Sequence, residues 1–113
     1  MNTIDTNLLG WNEVSNNWPG KVAAGAPAVR YKAFHIGSPL VPSGQLVEYE
    51  AGHVEAPHSH VESEIFFVVS GHLTIGDVEL SEGTLAYITG STIYGPSIAG
   101  SEGVRFLRLH IEG

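Results

Sequence analysis

There is no cysteine in this chain of 113 residues, so it has no disulfide framework, no thiolate metal site and no cysteine nucleophile. Basic residues are scarce. Five Lys and Arg stand against twelve Asp and Glu, a net charge of −7 with the histidines neutral. That balance argues against nucleic acid and against an anionic membrane surface as partners, since both are recognised by basic patches. No apolar run approaches the length of a membrane span. Met1 is followed by polar Asn2 and Thr3 rather than by a basic segment and an apolar core, so no signal peptide is expected and the cytoplasm is the default location. With 15% of residues charged and 42% hydrophobic, a disordered chain is excluded. No nucleophile elbow, phosphate-binding glycine loop or dinucleotide fingerprint is present; Gly90-Ser91 and residues 100–103 are turn material.

What the chain has in abundance is turns. Fourteen glycines and six prolines punctuate short runs that alternate or are β-branched. After residue 20 no stretch of about a dozen residues free of both keeps a helical apolar period. Strand-like runs are read at residues 30–36, 45–50, 64–69, 72–75, 78–80, 85–88 and 104–111. The runs 72–75 and 78–80 flank Gly76-Asp77 and read as a hairpin, with the glycine supplying the positive φ of a tight turn. Runs spaced about 8–12 residues apart with turn signals between them predict an all-β protein, a sandwich or a barrel, in one domain. Residues 1–29 differ, because Ile4, Leu8, Leu9, Trp11 and Trp18 lie among Asn, Gly and Pro without periodicity. They read as an N-terminal arm packed on the barrel or on a partner subunit, with residues 30–113 forming the barrel.

The chemistry concentrates in residues 52–71, GHVEAPHSHVESEIFFVVSG. His58 and His60 are one residue apart, so an extended backbone turns both rings to one face. Glu64 has the same parity at the start of the most apolar run. Two neutral imidazoles and one carboxylate suit a divalent first-row metal and leave coordination positions open for a ligand. Phe66 and Val68 continue the parity of Glu64 and are expected to line the pocket floor, while Phe67 and Val69 face the other way. Apolar residues on both faces of one strand predict that the outer face is also covered, by the arm or by a second subunit in a homodimer.

The remaining polar candidates are read as ordinary residues. His53 is expected in a loop, and His35 and His72 as packed or surface residues. His110 differs only in that a last strand can line the cavity. Glu62 lies on the ligand parity but is expected in solvent beside the mouth. Arg105 and Arg108 have opposite parity, so at most one points inward, where it would anchor a substrate carboxylate. Surface salt-bridging is the default expectation for them.

This stretch resembles the first motif of the cupin superfamily, G-x5-H-x-H-x3,4-E-x6-G, with Gly52, His58, His60, Glu64 and Gly71 in register. The resemblance covers about residues 30–111 and implies a small antiparallel jelly-roll barrel with one metal site inside its mouth. The family's second motif, G-x5-P-x-G-x2-H-x3-N, is filled only in part. Gly83 matches its first glycine, but Thr89 stands at the proline, Ser91 at the second glycine, Tyr94 at the histidine and Ile98 at the asparagine. Tyr94 then faces the metal, as a phenolate ligand or as a hydrogen-bond donor or general acid, or it closes the pocket around three protein ligands. Loss of a nitrogen ligand lowers the preference for copper and nickel and leaves iron, manganese or zinc.

Two functions follow from the resemblance. One is a small metalloenzyme of dioxygenase, isomerase or lyase type, holding its metal on His58, His60 and Glu64 and acting on a small oxygen-rich or carboxylate-bearing molecule. The surviving two-His, one-carboxylate set leans this reading toward an oxygenase. The other is a module that binds or senses a small ligand without turnover.

Overall fold

The computed structural model describes residues 1–14, 29–36 and 44–111. Strands make up most of them: β1 (Asn12–Val14), β2 (Val29–Phe34), β3 (Gly44–Tyr49), β4 (Val54–Glu55), β5 (Ser63–Ile75), β6 (Val78–Leu80), β7 (Leu85–Ile88) and β8 (Ser97–Ile111). One short 3₁₀ turn, Thr6–Leu8, precedes β1, and the Asp5 side chain accepts the Asn7 N–H at its start. Every pairing is antiparallel. The strand order is β1-β2-β3-β8-β5-β6, with β4 beside β8 and β7 beside β5. β5 and β8 carry the architecture, pairing with each other from Ser63 against Ile111 to Ile75 against Ser97. No helix among the described residues is long and apolar enough to cross a membrane.

The all-β class is the one the strand runs predict and the antiparallel pairing is the one the motif resemblance implies, with differences in detail. Runs 64–69 and 72–75 belong to a single strand. Ser70-Gly71 reads as a stop, yet Gly71 takes φ +81 and the register shifts on both sides of it, so the ladder bulges and bends instead of ending. A side chain at 71 would come 2.2 Å from the Gly103 carbonyl oxygen, which is why only glycine fits there. β8 likewise begins well before residue 104. Its first part is held by pairing with β4 and with the far half of β5, not by an apolar alternation that a sequence reading can detect.

The expected arm contributes β1, which adds to the outer edge of β2 through Asn12 against Tyr31 and Glu13 against Arg30. Next to it the Trp11 ring lies under three cations, with Arg30 at 4.6 Å, Lys32 at 4.7 Å and Arg105 at 5.7 Å from its centroid. Lys32 also donates to the Thr6 carbonyl at 2.8 Å. Thr6 and Trp11 thus contact cations of β2 and β8; Trp18 lies outside the described residues. Beneath it Glu48 accepts from Arg30 and Arg105. Burial pushes the Glu48 carboxyl up, but the hydrogen bonds from Arg105 and Arg30 outweigh this and hold it below its ordinary value.

Inside the barrel Val29, Val47, Tyr49, Phe66, Val68, Leu73, Leu80, Ala99, Val104 and Phe106 form one buried cluster. Phe106 sits at its centre, opposite Val47 on β3 and Val68 on β5. Side chains on a strand alternate, so the next inward positions along β8 after Phe106 are Arg108 and His110. On β5 the inward position before Phe66 is Glu64. Toward one mouth of the barrel the apolar layer gives way to a polar one.

Candidate functional site

Glu64 is the centre of that polar layer. It lies opposite His110 on β8 and Ile88 on β7, and only 1% of it is exposed. Its two oxygens face different groups. Tyr94 Oη donates to Oε1 at 3.3 Å, and His60 Nε2 stands 4.0 Å from the same oxygen. Arg108 Nε and His110 Nε2 each stand 3.6 Å from Oε2. The last three separations are too long for hydrogen bonds. Glu64 Oε2, His60 Nε2 and Arg108 Nε are in fact buried without any hydrogen-bond partner. Buried polar atoms are satisfied in most folded proteins, and three unsatisfied ones around one carboxylate mark a place for a further group.

The two motif histidines lie on the extended segment before β5, not on a regular strand. Exchange of hydrogen bonds with Tyr94 holds this segment: His58 N–H to Tyr94 O is 3.0 Å and Tyr94 N–H to His58 O is 2.9 Å. His58 Nδ1 faces the Ala56 carbonyl at 2.9 Å, so it carries the proton and leaves the lone pair on Nε2. His60 O accepts from Ser91 N–H at 2.6 Å. Ser91 occupies the motif's glycine position and adopts φ 62, the left-handed conformation that favours glycine, so the backbone shape survives the substitution. Beside it Gly90 N–H donates to Ser63 Oγ at 2.9 Å, and a side chain at 90 would come 2.3 Å from the Val61 carbonyl. Residues 90–94 are thus laced to the histidine segment.

The rings gather as a result. His58 is 4.9 Å from both His60 and Tyr94, and Tyr94 meets Phe66 edge-on at 5.9 Å. Burial pushes the His60 imidazole below its ordinary value against the opposing pull of Glu64, which keeps it neutral near pH 7. Burial, with the Glu64 charge adding to it, pushes the Tyr94 phenol up. Tyr94 therefore stands as a neutral donor to Glu64.

Sequence-predicted residues fall as follows. His58, His60, Glu64 and Tyr94 come together; Phe66 lies under Tyr94, and Val68 lies deeper, in the core. Glu62 and His35 are exposed, and exposed His72 pairs with Glu79 at 2.8 Å. Arg105 makes the expected surface salt bridge, to Glu48. Arg108 does not: it turns inward, where its guanidinium meets Gln45 and Glu64. It shares the parity of buried Phe106, but apolar residues on both parities of this run leave the inward face undecided until the strand is paired. His53 is in a loop, as expected, but fully buried, with Nε2 2.7 Å from Glu55 Oε1 and its ring 4.7 Å from Tyr49.

As the side chains stand, no three His, Asp or Glu among the described residues close around one point as metal ligands do. The donor gaps of 3.6 and 4.0 Å exceed the spacing of about 3.0–3.4 Å between neighbouring ligands on bonds of about 2.1 Å. The chemistry of the donors nevertheless suits a divalent cation. His58 offers a lone pair in a held tautomer, His60 is neutral with an unpartnered Nε2, and Glu64 has an unpartnered oxygen.

A family model described as the cupin domain matches residues 45–111. No curated protein matches the sequence. Among solved structures the chain is similar to a sugar phosphate isomerase of the cupin superfamily from Silicibacter pomeroyi, with TM-score 0.72 and 16% identity over 98% of this chain and 76% of that one. It is similar to a predicted oxalate decarboxylase from Thermotoga maritima, with TM-score 0.71 and 15% identity over 96% and 97% of the two chains. A third likeness is to a chain of the Rhodobacter sphaeroides complex of SigE with the anti-sigma ChrR, at TM-score 0.64 and 15% identity. That match covers 74% of this chain and 45% of the other, so this chain spans less than half of it. At such identities the likeness is one of fold.

Proposed function

Because this chain belongs to the cupin domain family, we propose that it binds one divalent metal, iron, manganese or zinc, on His58, His60 and Glu64. It uses that site on a small oxygen-rich or carboxylate-bearing molecule. The observation that carries this reading is that His60 Nε2 and Glu64 Oε2 are both buried without a hydrogen-bond partner, His60 Nε2 standing 4.0 Å from the other oxygen of the same carboxylate. When bound, the metal supplies Lewis acidity, or oxygen activation if it is iron. The chain's own residues do the rest. The Ala56 carbonyl aims His58 by holding its Nδ1–H. Tyr94 fixes the Glu64 carboxylate through its hydroxyl and is placed to give a proton to the bound molecule. Arg108, whose Nε has no hydrogen-bond partner, anchors a carboxylate of that molecule, and Phe66 forms the apolar floor. Dioxygenase, isomerase and lyase chemistry all fit such a site, and the fold does not choose among them.

A second reading, a ligand-binding module without turnover, is favoured by Tyr94 standing where the second motif has a histidine. Metal content of untagged protein, by plasma mass spectrometry, tests both. The wild type should carry close to one equivalent, and the His58→Ala, His60→Ala double variant should carry almost none while keeping its β-sheet spectrum. An empty wild type that takes up no metal on reconstitution would sink the metal site and leave the binding module. A loaded protein that binds small carboxylates but turns none over would also favour the module.

The outer sheet face we assign to a second copy of the chain. Leu85, Phe67 and Leu107 form one apolar row across β7, β5 and β8, and Tyr87, Ile65 and Leu109 form the next. Leu85 is 67% and Tyr87 61% exposed. A two-fold contact of this face with itself would bury both rows at once. Sedimentation should show a dimer, and Leu85→Glu with Tyr87→Glu a monomer. A wild type that is monomeric at tens of micromolar overturns the assignment.

A further inference from the structure

We propose that the buried His53–Glu55 pair positions His58, acting through the Ala56 carbonyl; this deepens the reading of the site given above and, for its metal affinity, rests on it. Neither residue of the pair is among those that gather around Glu64. Both are buried, and the His53 Nε2–H donates to Glu55 Oε1 at 2.7 Å. Nδ1 of the same ring is buried without a hydrogen-bond partner, so the bond to Glu55 is what orients it.

The chain between Tyr49 and His58 has little ladder of its own to hold it. β4 is two residues long, with Val54 opposite Ile98 and Glu55 opposite Ser97. Two loop contacts to β8 extend it: Gly52 N–H donates to Gly100 O at 3.2 Å, and Ala99 N–H donates to His53 O at 2.9 Å. Side chains two residues apart on an extended backbone point the same way, so the pair clamps this short ladder from its inner side. The His53 ring lies 4.7 Å from that of Tyr49, which meets Phe106 edge-on at 5.2 Å, and Glu55 is thereby tied to the aromatic core. One residue further on, the Ala56 carbonyl accepts the His58 Nδ1–H at 2.9 Å. Pro57, with its φ fixed by the ring, stands between, and His58 itself exchanges backbone hydrogen bonds with Tyr94. The segment is held at one end by the buried pair and at the other by Tyr94, with the Ala56 carbonyl between the two anchors. Without the first anchor that carbonyl is free to turn, and His58 loses the bond that keeps its lone pair on Nε2.

The test has two readouts, one of them free of metal. In long-range ¹H–¹⁵N correlation spectra of the metal-free full-length protein, with the imidazoles neutral, His58 should carry its hydrogen on Nδ1; its signals are identified by their loss in His58→Ala. His53→Phe combined with Glu55→Leu removes the pair without stranding either partner, a replacement that is commonly neutral for stability, and unfolding midpoints check that the variant folds. In it His58 should show an average of both tautomers. Its affinity for Zn²⁺ and Co²⁺, read by competition with a chromophoric chelator, should fall by about 10- to 100-fold. Glu55→Gln, whose side-chain oxygen still accepts from His53, should keep the hydrogen on Nδ1 and lose less than about 10-fold in affinity. A folded double variant with the wild-type tautomer and affinity would overturn the proposal and reduce the pair to packing. A wild type with the His58 hydrogen on Nε2 would overturn it as well. No metal uptake by the wild type would remove the metal reading alone, and the imidazole signals would still decide the role of the pair.

Discussion

Glu64→Ala should lower stability by about 3 kcal/mol, because breaking a buried ion pair strands the remaining charge. Here the stranded group is Arg108, whose guanidinium stands 3.6 Å from Glu64 and keeps only its contact to Gln45. The side chain of Arg108 is 17% exposed, which puts the loss at the low end of the range for such pairs. Glu64→Ala combined with Arg108→Met should recover most of the loss, since apolar replacements of a buried pair are commonly neutral or stabilising. Urea unfolding of the four proteins in the cycle measures the coupling directly. Strictly additive single-variant losses would show that the two groups do not interact, and would remove the ground for placing Arg108 in the site. Recovery in the double variant would say something about function. A pair that apolar residues replace at little cost contributes little net stability, which points to a role in binding.

Phe106→Ala should be the most damaging single truncation, at about 3–5 kcal/mol. Phe106 is fully enclosed, and its ring lies 5.2 Å from those of both Tyr49 and Phe66. Removing it opens a cavity at the point where β3, β5 and β8 meet, and the surrounding strands cannot collapse into it without breaking their ladders. Set against a total stability of about 5–15 kcal/mol for a domain of this kind, such a loss moves the unfolding midpoint down by roughly 12–25 °C. Phe106→Leu should cost well under half as much. A midpoint shift below about 5 °C for the alanine variant would mean that Phe106 does not organise the core as its burial implies.

The two predictions concern residues on the paired strands β5 and β8, and they differ in how visible those residues are to a sequence reading. Glu64, His58 and His60 announce themselves through local spacing, since parity along an extended chain needs no knowledge of the rest of the fold. Phe66 and Val68 follow from Glu64 by the same alternation, and both are buried. Arg108 and His110 do not announce themselves. The run 104–111 carries apolar residues on both parities, Val104 and Phe106 on one and Leu107 and Leu109 on the other. Alternation there shows that Arg105 and Arg108 point opposite ways but not which of them points in. His53 and Glu55 are hidden for another reason: His53 lies in a loop, where no period exists, and β4 has only two residues.

By itself, then, the sequence determined the all-β class, most of the strands, the three candidate ligands of the first motif and the departure at Tyr94, because each is a property of neighbouring residues along an extended backbone. The tertiary structure decided the rest. It carried β5 through Gly71 on a bulge, and by doing so set the register that places His110 opposite Glu64 and Arg108 opposite Phe66. It also brought Tyr94 back against His58 through a single bridge. Those contacts join residues far apart in the chain, and only the closure of the barrel, with the burial of Phe106 and its neighbours behind it, fixes which face of each strand looks inward.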